Sequence, residues 1–464
     1  MQLPKGYVIL REEELLFMQQ QMISLVERIK ELEHQLKKDS SNSHKPPSSD
    51  SFRKPIQNNR EKSNKSQGAQ PGHKGTTLTM ADTPDKIIFH PVGGKCDCGR
   101  ELKNQLTINL QRSQVIDIPE KLKEITEHQI EVKQCKCGQI YYGKTMSMAP
   151  VQYGSRIKAM SVYMNNYGLL PYDRLQDFFF DCFDIEISDG VLVSANEKCY
   201  KNLEPIEQQI KDQLKSSPVI HNDETGMRCE KSLKWGHVSS NKDFTHYAFH
   251  DKRGVEAIND IDILPGYRGV SVHDRYSSYD SYLCDHALCN AHLLRDLKGL
   301  VEDDKTWASQ MIELLLKAKK YKETTRLSKK IREEIFSEYD KIVSTGLKSE
   351  PVLEENTVKK RGRKKKPDSL RLLETFSNRK DQILKFFVKP HVPFDNNLAE
   401  RDLRMIKLKQ KISGCFRTKT GAEIFCRIRS YISTIRKQGY NIIDSIQLAI
   451  DGNPINFQLT IAEQ

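Results

Sequence analysis

Asp223 closes the apolar run Val219-Ile-His-Asn-Asp223, Asp274 closes Gly269-Val-Ser-Val-His-Asp274, and Glu400 lies in a helix-like stretch that opens at Asn397. Taken singly, an acid at the end of a strand reads as a cap or a solvated turn. Taken together, three carboxylates on an α/β frame suit chemistry on phosphodiesters. Such chemistry needs an activated oxygen nucleophile and neutralisation of the charge on pentacovalent phosphorus. Two divalent ions about 3.5–4 Å apart supply both. Mg²⁺, or Mn²⁺ in its place, prefers the hard oxygen ligands that Asp and Glu offer.

A second set of donors is formed by Cys96-Asp-Cys98-Gly99 and Cys135-Lys-Cys137-Gly138. Two cysteine knuckles on separate turns are what a tetrahedral Zn²⁺ site requires, and the following glycines permit the tight backbone beneath the ion. The spacing is one residue shorter than the usual C-x-x-C, and four buried or free thiols are the alternative. Cationic side chains gather in two places. Arg401, Arg404, Lys407, Lys409 and Lys411 follow Glu400, and spacings of three and four put Arg401, Arg404 and Lys407 or Lys411 on related faces suited to phosphate oxygens. A solvated basic face is the plainer reading, above all for Lys411. The run Lys359–Lys366 has seven basic residues in eight; within it Arg361-Gly-Arg363 resembles a minor-groove hook without its usual proline, so nonspecific phosphate contact is expected there.

The elements that must position these groups can be read from periodicity. Val219–Asp223, Leu233–Val238 and Thr245–Phe249 alternate as strands, Gly254–Ile263 is helix-like, and Gly269–Asp274 is a further strand. Three strands, a helix and a strand make the front half of a ribonuclease-H-like α/β domain. It is expected over 206–464, with a charged helical insertion at about 300–376. Before it, residues 151–205 read as short helices broken at Gly168-Leu-Leu-Pro171 and Ile187-Ser-Asp-Gly190, either a helix-turn-helix or a plain helical adaptor. The cysteine pairs fall in a zinc-ribbon segment, 91–150, with strand-like pieces such as Gln129–Val132. Residues 39–90 are rich in Ser, Asn, Pro, Lys and Gln and read as a flexible basic linker, lying along a polyanion or merely solvated. In 1–38, Leu15, Met18, Met22, Leu25, Ile29, Leu32 and Leu36 step by 3, 4, 3, 4, 3 and 4. That alternation suits a short coiled coil and a homo-oligomer, or a single amphipathic helix lying on the chain's own core.

Bulk composition narrows the classes. Charged residues make up 29% and hydrophobic ones 37%, which fits a globular protein with polar linkers rather than a disordered one. Lys and Arg exceed Asp and Glu by 74 to 62, an excess of +12 that suits a polyanionic partner. No stretch approaches the roughly eighteen apolar residues that span a bilayer, and no export signal opens the sequence, so the cytoplasm is the expected compartment, with no membrane partner. Eleven cysteines in such a chain point to metal ligands and buried thiols rather than a disulfide framework.

Longer stretches carry a specific resemblance. His221-Asn-Asp223-Glu-Thr-Gly-Met-Arg228, Val272-His-Asp274-Arg-Tyr-Ser277 and Val392-Pro-Phe-Asp-Asn-Asn-Leu-Ala-Glu-Arg401 resemble the transposases of the insertion-sequence-66 family. So do Lys409–Arg417, Ser430–Gly439, Pro46–Asp50, Gln70–Gly75 and Leu170–Arg174, so that the likeness runs from the N-terminal helix to the C-terminus, with Asp395–Arg401 its most diagnostic piece. The resemblance implies a DDE triad of Asp223, Asp274 and Glu400, cleavage and strand transfer at terminal inverted repeats, and DNA in the cell's nucleoid as partner. Accessory proteins of the same element are also implied. The family's cysteine pairs match Cys96, Cys98, Cys135 and Cys137. His292, in Cys289-Asn-Ala-His292, resembles an element near the active site of several DDE transposases, where an imidazole contacts the scissile phosphate; a helix-core histidine is the alternative. Cys284, His286, Cys289 and His292 together would make a second zinc site. Glu224, next to Asp223, is expected to point away from the triad if the strand continues that far. A recombinase forming a covalent Ser– or Tyr–DNA link, and a zinc-containing DNA-binding regulator without catalysis, are the competing functions.

Overall fold

The computed structural model describes residues 11–38, 80–98, 100–104, 108–116, 122–134, 136–137, 139–143, 151–324, 327–350 and 366–457. Cys135, Arg361 and Arg363, and all but the last residue of the Lys359–Lys366 run, lie outside them, as does almost all of the basic linker. The chain divides into two compact units, one comprising Asn58–Tyr142 with Cys182–Asp184, the other comprising the rest. Among the described residues no helix is long and apolar enough to cross a membrane.

In the smaller unit, β1 (Val132–Gln134) pairs antiparallel with β2 (Ile140–Tyr142), Val132 opposite Tyr142. The strand therefore begins where the expected Gln129–Val132 segment ends, because its partner offers only three residues. The Cys96–Arg100 turn closes through the Cys96 amide and the Arg100 carbonyl at 2.9 Å, and Cys137 lies in the β1–β2 connection. Cys96, Cys98 and Cys137 are exposed, and hydrogen bonds from Cys98 hold the Cys96 thiol below its usual range.

The larger unit opens with α1 (Glu12–Lys37), whose first turn is closed by a capping box between Arg11 and Glu14. Its seam is open to solvent, from Leu32 at 44% exposure to Leu36 at 84%. Four helices follow: α2 (Ser155–Asn166), α3 (Tyr172–Phe183), α4 (Asp189–Asn202) and α5 (Glu204–Lys215). Ala159 and Val162 of α2, Ala195 and Cys199 of α4 and Ile206 and Ile210 of α5 share one apolar core with the chain's last two helices. These are α14 (Lys419–Lys437), contributing Ile428 and Ile432, and α15 (Ile442–Ile450), contributing Ile446 and Ala449.

A five-stranded sheet lies at the centre, in the order β5-β4-β3-β6-β7. β3 (Val219–Cys229), β4 (Ser232–Ser240) and β5 (Thr245–His250) form an antiparallel meander; β6 (Val270–His273) pairs parallel with β3 and β7 (Asp285–Leu288) parallel with β6. The helix α6 (Val255–Ile261) links the meander to β6. β3 does not end at its acid. It runs six residues past Asp223, since β4 pairs with it continuously from His221–Ser240 to Cys229–Ser232. Glu230 and Lys231 turn the hairpin with φ of 49° and 63°, the left-handed pair that matches strand twist.

Beyond β7 come α7 (Asn290–Val301), α8 (Thr306–Thr324), α9 (Lys329–Ser349), α10 (Asp368–Asn378), α11 (Lys380–Ile383) and α12 (Lys385–Val388). They bury Trp307, Met311, Tyr339, Leu373 and Phe387 in one core with Val272 of β6 and Leu288 of β7. The last helix to reach the sheet before α14 is α13 (Asn397–Ser413). Ala399, Leu403 and Ile406 recur at helical spacing and pack on Met227, Val238 and Tyr247. Leu403 and Ile406 each contribute about 1.5–3 kcal/mol on burial. Gly236 of β4 admits this approach: a Cβ there would stand 2.6 Å from Cδ1 of Ile406.

Candidate active site

The sheet register aligns two of the three acids. His221 is the last residue of β3 to pair with β6, opposite Val272, and two residues further along each chain lie Asp223, still inside β3, and Asp274, one residue past the end of β6. On antiparallel neighbours those positions would diverge; on parallel ones they arrive side by side. Glu400 comes to the same place in the first turn of α13. All three are partly buried, and Asp223 is electrostatically in reach of both others. Burial, then the charges of Glu224, Asp274 and Glu400, raise the Asp223 carboxyl well above the usual carboxylate range. Burial likewise raises Glu400, with Arg295 and Arg404 opposing and Asp395 and Asp274 adding to the effect. Asp223 accepts from the amide of Glu224 at 2.9 Å and Asp274 from that of Tyr276 at 2.8 Å, which fixes each carboxylate at one oxygen.

Glu400 reaches this position because the residue that precedes its helix is anchored on three sides. Asn396, 1% exposed, donates through Nδ2 to the Asn222 carbonyl at 2.9 Å, meets Nδ1 of His221 through Oδ1 at 2.8 Å, and donates its amide to Sγ of Cys289 at 3.2 Å. The strands beneath are joined in the same way. Asn222 donates to Ser271 at 2.8 Å and accepts from Ser239 at 2.7 Å, crossing β4, β3 and β6. Asn290 adds two bonds from the start of α7, its amide to Phe394 at 3.1 Å and its side chain to Ile383 at 3.1 Å. Burial lowers His221, which favours the neutral ring that such a network needs.

α7 presents its face to Glu400. Nε2 of His292 is 3.7 Å and the Arg295 guanidinium 3.9 Å from the two Glu400 oxygens, three residues apart on one helical face. Cys289 Sγ lies 4.0 Å from Glu400, and burial above all pushes its thiol up to about 12, so it stands as a neutral thiol. Cys289, His292 and Glu400 form one group whose ligand atoms lie within 4.8 Å of one another. His286 belongs to a different group, with His273 and Asp280, and buried Cys284 to neither. The four residues Cys284, His286, Cys289 and His292 thus do not converge on one ion, because β7 and α7 direct them apart.

Glu224 is a buried member of the neighbourhood rather than a bystander. It accepts from Arg253 Nε at 2.8 Å and from the Tyr279 hydroxyl at 2.5 Å. Burial and then the charge of Asp274 raise its carboxyl. Arg253 in turn lies over the rings of Tyr276, at 4.0 Å, and Trp235, at 5.0 Å. Sequence reasoning missed Glu224, Asn396, His221 and Arg295 as parts of the site. His221, Glu224 and Asn396 sit inside the segments that carried the resemblance, where polar residues flanking the acids in apolar runs were the available signal, whereas Arg295, three residues past His292, carried none.

Of the cationic candidates, Arg401 and Arg404 are exposed along α13, and Lys407 donates to the Gly226 carbonyl of β3. The donor set suits a divalent cation: three partly buried carboxylates, with Asp223 and Glu400 raised by burial and by neighbouring carboxylates, are in the state that such an ion relieves. Soft or redox-active centres have no match in these oxygens.

Over residues 150–424 the chain matches the family model described as transposase IS66 family, more than half of its length. Residues 6–79 match a family of unknown function (DUF6444). The uncharacterized protein y4jO of Sinorhizobium fredii is 32% identical over 87 residues, which is 18% of this chain and 27% of that protein. The match therefore spans only about a quarter of that relative.

Proposed function

Because the chain belongs to the IS66 family of transposases, we propose that it is a DDE-type enzyme that binds the terminal inverted repeats of its element, cleaves DNA strands there and joins them to a target. The observation that carries this reading is the convergence of Asp223, Asp274 and Glu400, near enough for Asp223 to feel both of the others. The strand order β5-β4-β3-β6-β7, with a three-strand meander and two parallel additions, supports a ribonuclease-H-like catalytic domain.

Mg²⁺ or Mn²⁺ held by the three carboxylates would supply an activated water or 3′-hydroxyl and neutralise charge on the phosphate. The protein's own part is positional. Asn396 and His221 hold the start of α13 so that Glu400 meets the strand acids. Arg295 and His292 flank Glu400 on the α7 side, where a guanidinium and an imidazole suit a scissile phosphate. Arg401, Arg404 and Lys407 take phosphate oxygens along α13, and Arg361 and Arg363 add nonspecific contacts. No side-chain nucleophile is needed. Cys96, Cys98, Cys135 and Cys137 hold Zn²⁺ in a ribbon that contributes to end binding, and the solvent-exposed seam of α1 pairs chains so that two ends are brought together in the nucleoid, with accessory proteins of the element as further partners. On this reading the domains are a coiled coil to 38, a linker to 90, the ribbon to 150, a helical segment to 205 and the catalytic domain beyond it.

The test is cleavage of DNA carrying the element's ends. Activity that requires Mg²⁺ or Mn²⁺ and leaves no protein–DNA adduct is expected. A trapped covalent adduct, or end binding without any cutting in either metal, overturns the proposal.

A further inference from the structure

A second group of donors lies beside the carboxylates, and the strand-transfer reading makes no use of it. His273 closes β6 with no exposure and packs its ring on Tyr279, centroids 4.6 Å apart. His286 is on β7 opposite Ser271, so the two histidines are diagonal neighbours on one face of a parallel pair. Their rings meet edge to face at 85°.

The hydrogen bonds fix the protons. His273 Nδ1 contacts the backbone carbonyl of Asp274, and His286 Nε2 that of Tyr282 at 3.0 Å. A carbonyl only accepts, so in neutral rings each of these nitrogens carries the hydrogen. The remaining nitrogens, His273 Nε2 and His286 Nδ1, then both present lone pairs, yet they face each other at 2.9 Å. Two lone pairs at that distance repel unless a cation lies between or beside them. The Asp280 carboxylate completes the group, one of its oxygens lying within 4.8 Å of a ring nitrogen of each histidine, and is itself paired with Arg379 at 2.5 Å.

We propose that His273, His286 and Asp280 bind a nitrogen-preferring divalent ion, Zn²⁺ by its chemistry, at a site distinct from the Asp223–Asp274–Glu400 cluster. Ligating histidines characteristically donate their other ring N–H to a carbonyl or carboxylate, which fixes tautomer and orientation, and both rings here do so. Zn–N bonds of about 2.0–2.1 Å at a tetrahedral angle place ligand nitrogens about 3.3 Å apart, so an opening of about 0.4 Å admits the ion. Asp280 and one water fill the remaining positions. Two imidazoles disfavour Mg²⁺, which demands oxygen. The ion would tie the end of β6 to the Ser277–Ser281 turn and to β7, bracketing the segment that leaves Asp274.

The experiment uses the full chain with Cys96, Cys98 and Cys137 changed to Ser, so that the ribbon no longer competes. It is stripped with chelator and titrated with Zn²⁺ in excess Mg²⁺. One Zn²⁺ per chain is expected. His286→Ala should abolish it. Asp280→Asn, a surface change that keeps the fold by circular dichroism, should weaken it at least about tenfold. His292→Ala, beside Glu400, should leave it in place. No Zn²⁺ bound by the parent of this series, or equal binding in the His286 and Asp280 variants, overturns the proposal. So do ¹⁵N shifts showing one imidazolium shared by His273 and His286 with Zn²⁺ present, since a proton would then occupy the gap.

Discussion

Replacing Asp223 by Asn should make the metal-free protein more stable and the enzyme almost inactive. The side chain keeps its shape, and the oxygen that accepts from the Glu224 amide at 2.9 Å is retained. What is lost is a charge held in a poorly solvated place beside Asp274 and Glu400. A buried charged group without full compensation costs about 1–3 kcal/mol, and at about 2–4 °C per kcal/mol the metal-free variant should melt several degrees higher. The sign with pH follows from linkage. The folded-state carboxyl is raised, so the native chain binds more protons than the unfolded one between the two pKa values. Parental stability therefore falls as pH rises through that window, from the ordinary carboxylate value of about 4 upward. The advantage of the Asn variant should grow over the same window and shrink when Mg²⁺ is added. Activity moves the other way: losing a metal clamp worth about 4 kcal/mol of barrier slows cleavage about a thousandfold, at 1.36 kcal/mol per decade. Thermal melts with and without Mg²⁺ and a strand-cleavage assay on end DNA read both. A variant that cuts at the parental rate, or that melts lower than the parent without metal, refutes the reasoning.

Glu224→Ala should be far from neutral: it leaves the Arg253 guanidinium and the buried Tyr279 hydroxyl without their acceptor, costing about 1–3 kcal/mol of stability by denaturant titration, and a melt equal to the parent's would contradict the buried pairing. Asn396→Ala removes hydrogen bonds to Asn222 and His221 and frees the start of α13, so cleavage should drop by at least about tenfold while end-DNA binding in a gel-shift assay persists. Deleting residues 1–38 should lower the oligomeric state by light scattering; unchanged mass would count against pairing through the α1 seam. Changing Cys96 to Ser should remove about one equivalent of Zn²⁺ by elemental analysis and weaken end binding, because ribbon folding and metal binding are one equilibrium.

Much of the frame was legible from periodicity. The strands at Val219, Leu233, Thr245 and Gly269, the helix near Gly254 and the long helix from Asn397 all appear, because alternation and 3.6-residue spacing are local properties of the chain. The α1 seam was visible for the same reason. Where β3 ended was not: Val219–Asp223 looks complete as an apolar run, and only the pairing with β4 carries the strand on to Cys229 and seats Glu224 among Arg253 and Tyr279. Nor could spacing tell that α2, α4 and α5 share a core with α14 and α15, since residues more than two hundred positions apart meet there.

The acids divide along the same line. Asp223 and Asp274 close apolar runs, a local signal, whereas Glu400 lies on a helix and joined them through the resemblance of the Asp395–Arg401 segment. That they converge depends on a parallel β3–β6 pairing and on Asn396 fastening α13 to β3, contacts between segments roughly 50 and 175 residues apart. The sorting of His286 away from Cys289 and His292 was decided there too. Neighbours in sequence that straddle a strand-to-helix turn point to different places, and only the packed backbone says where.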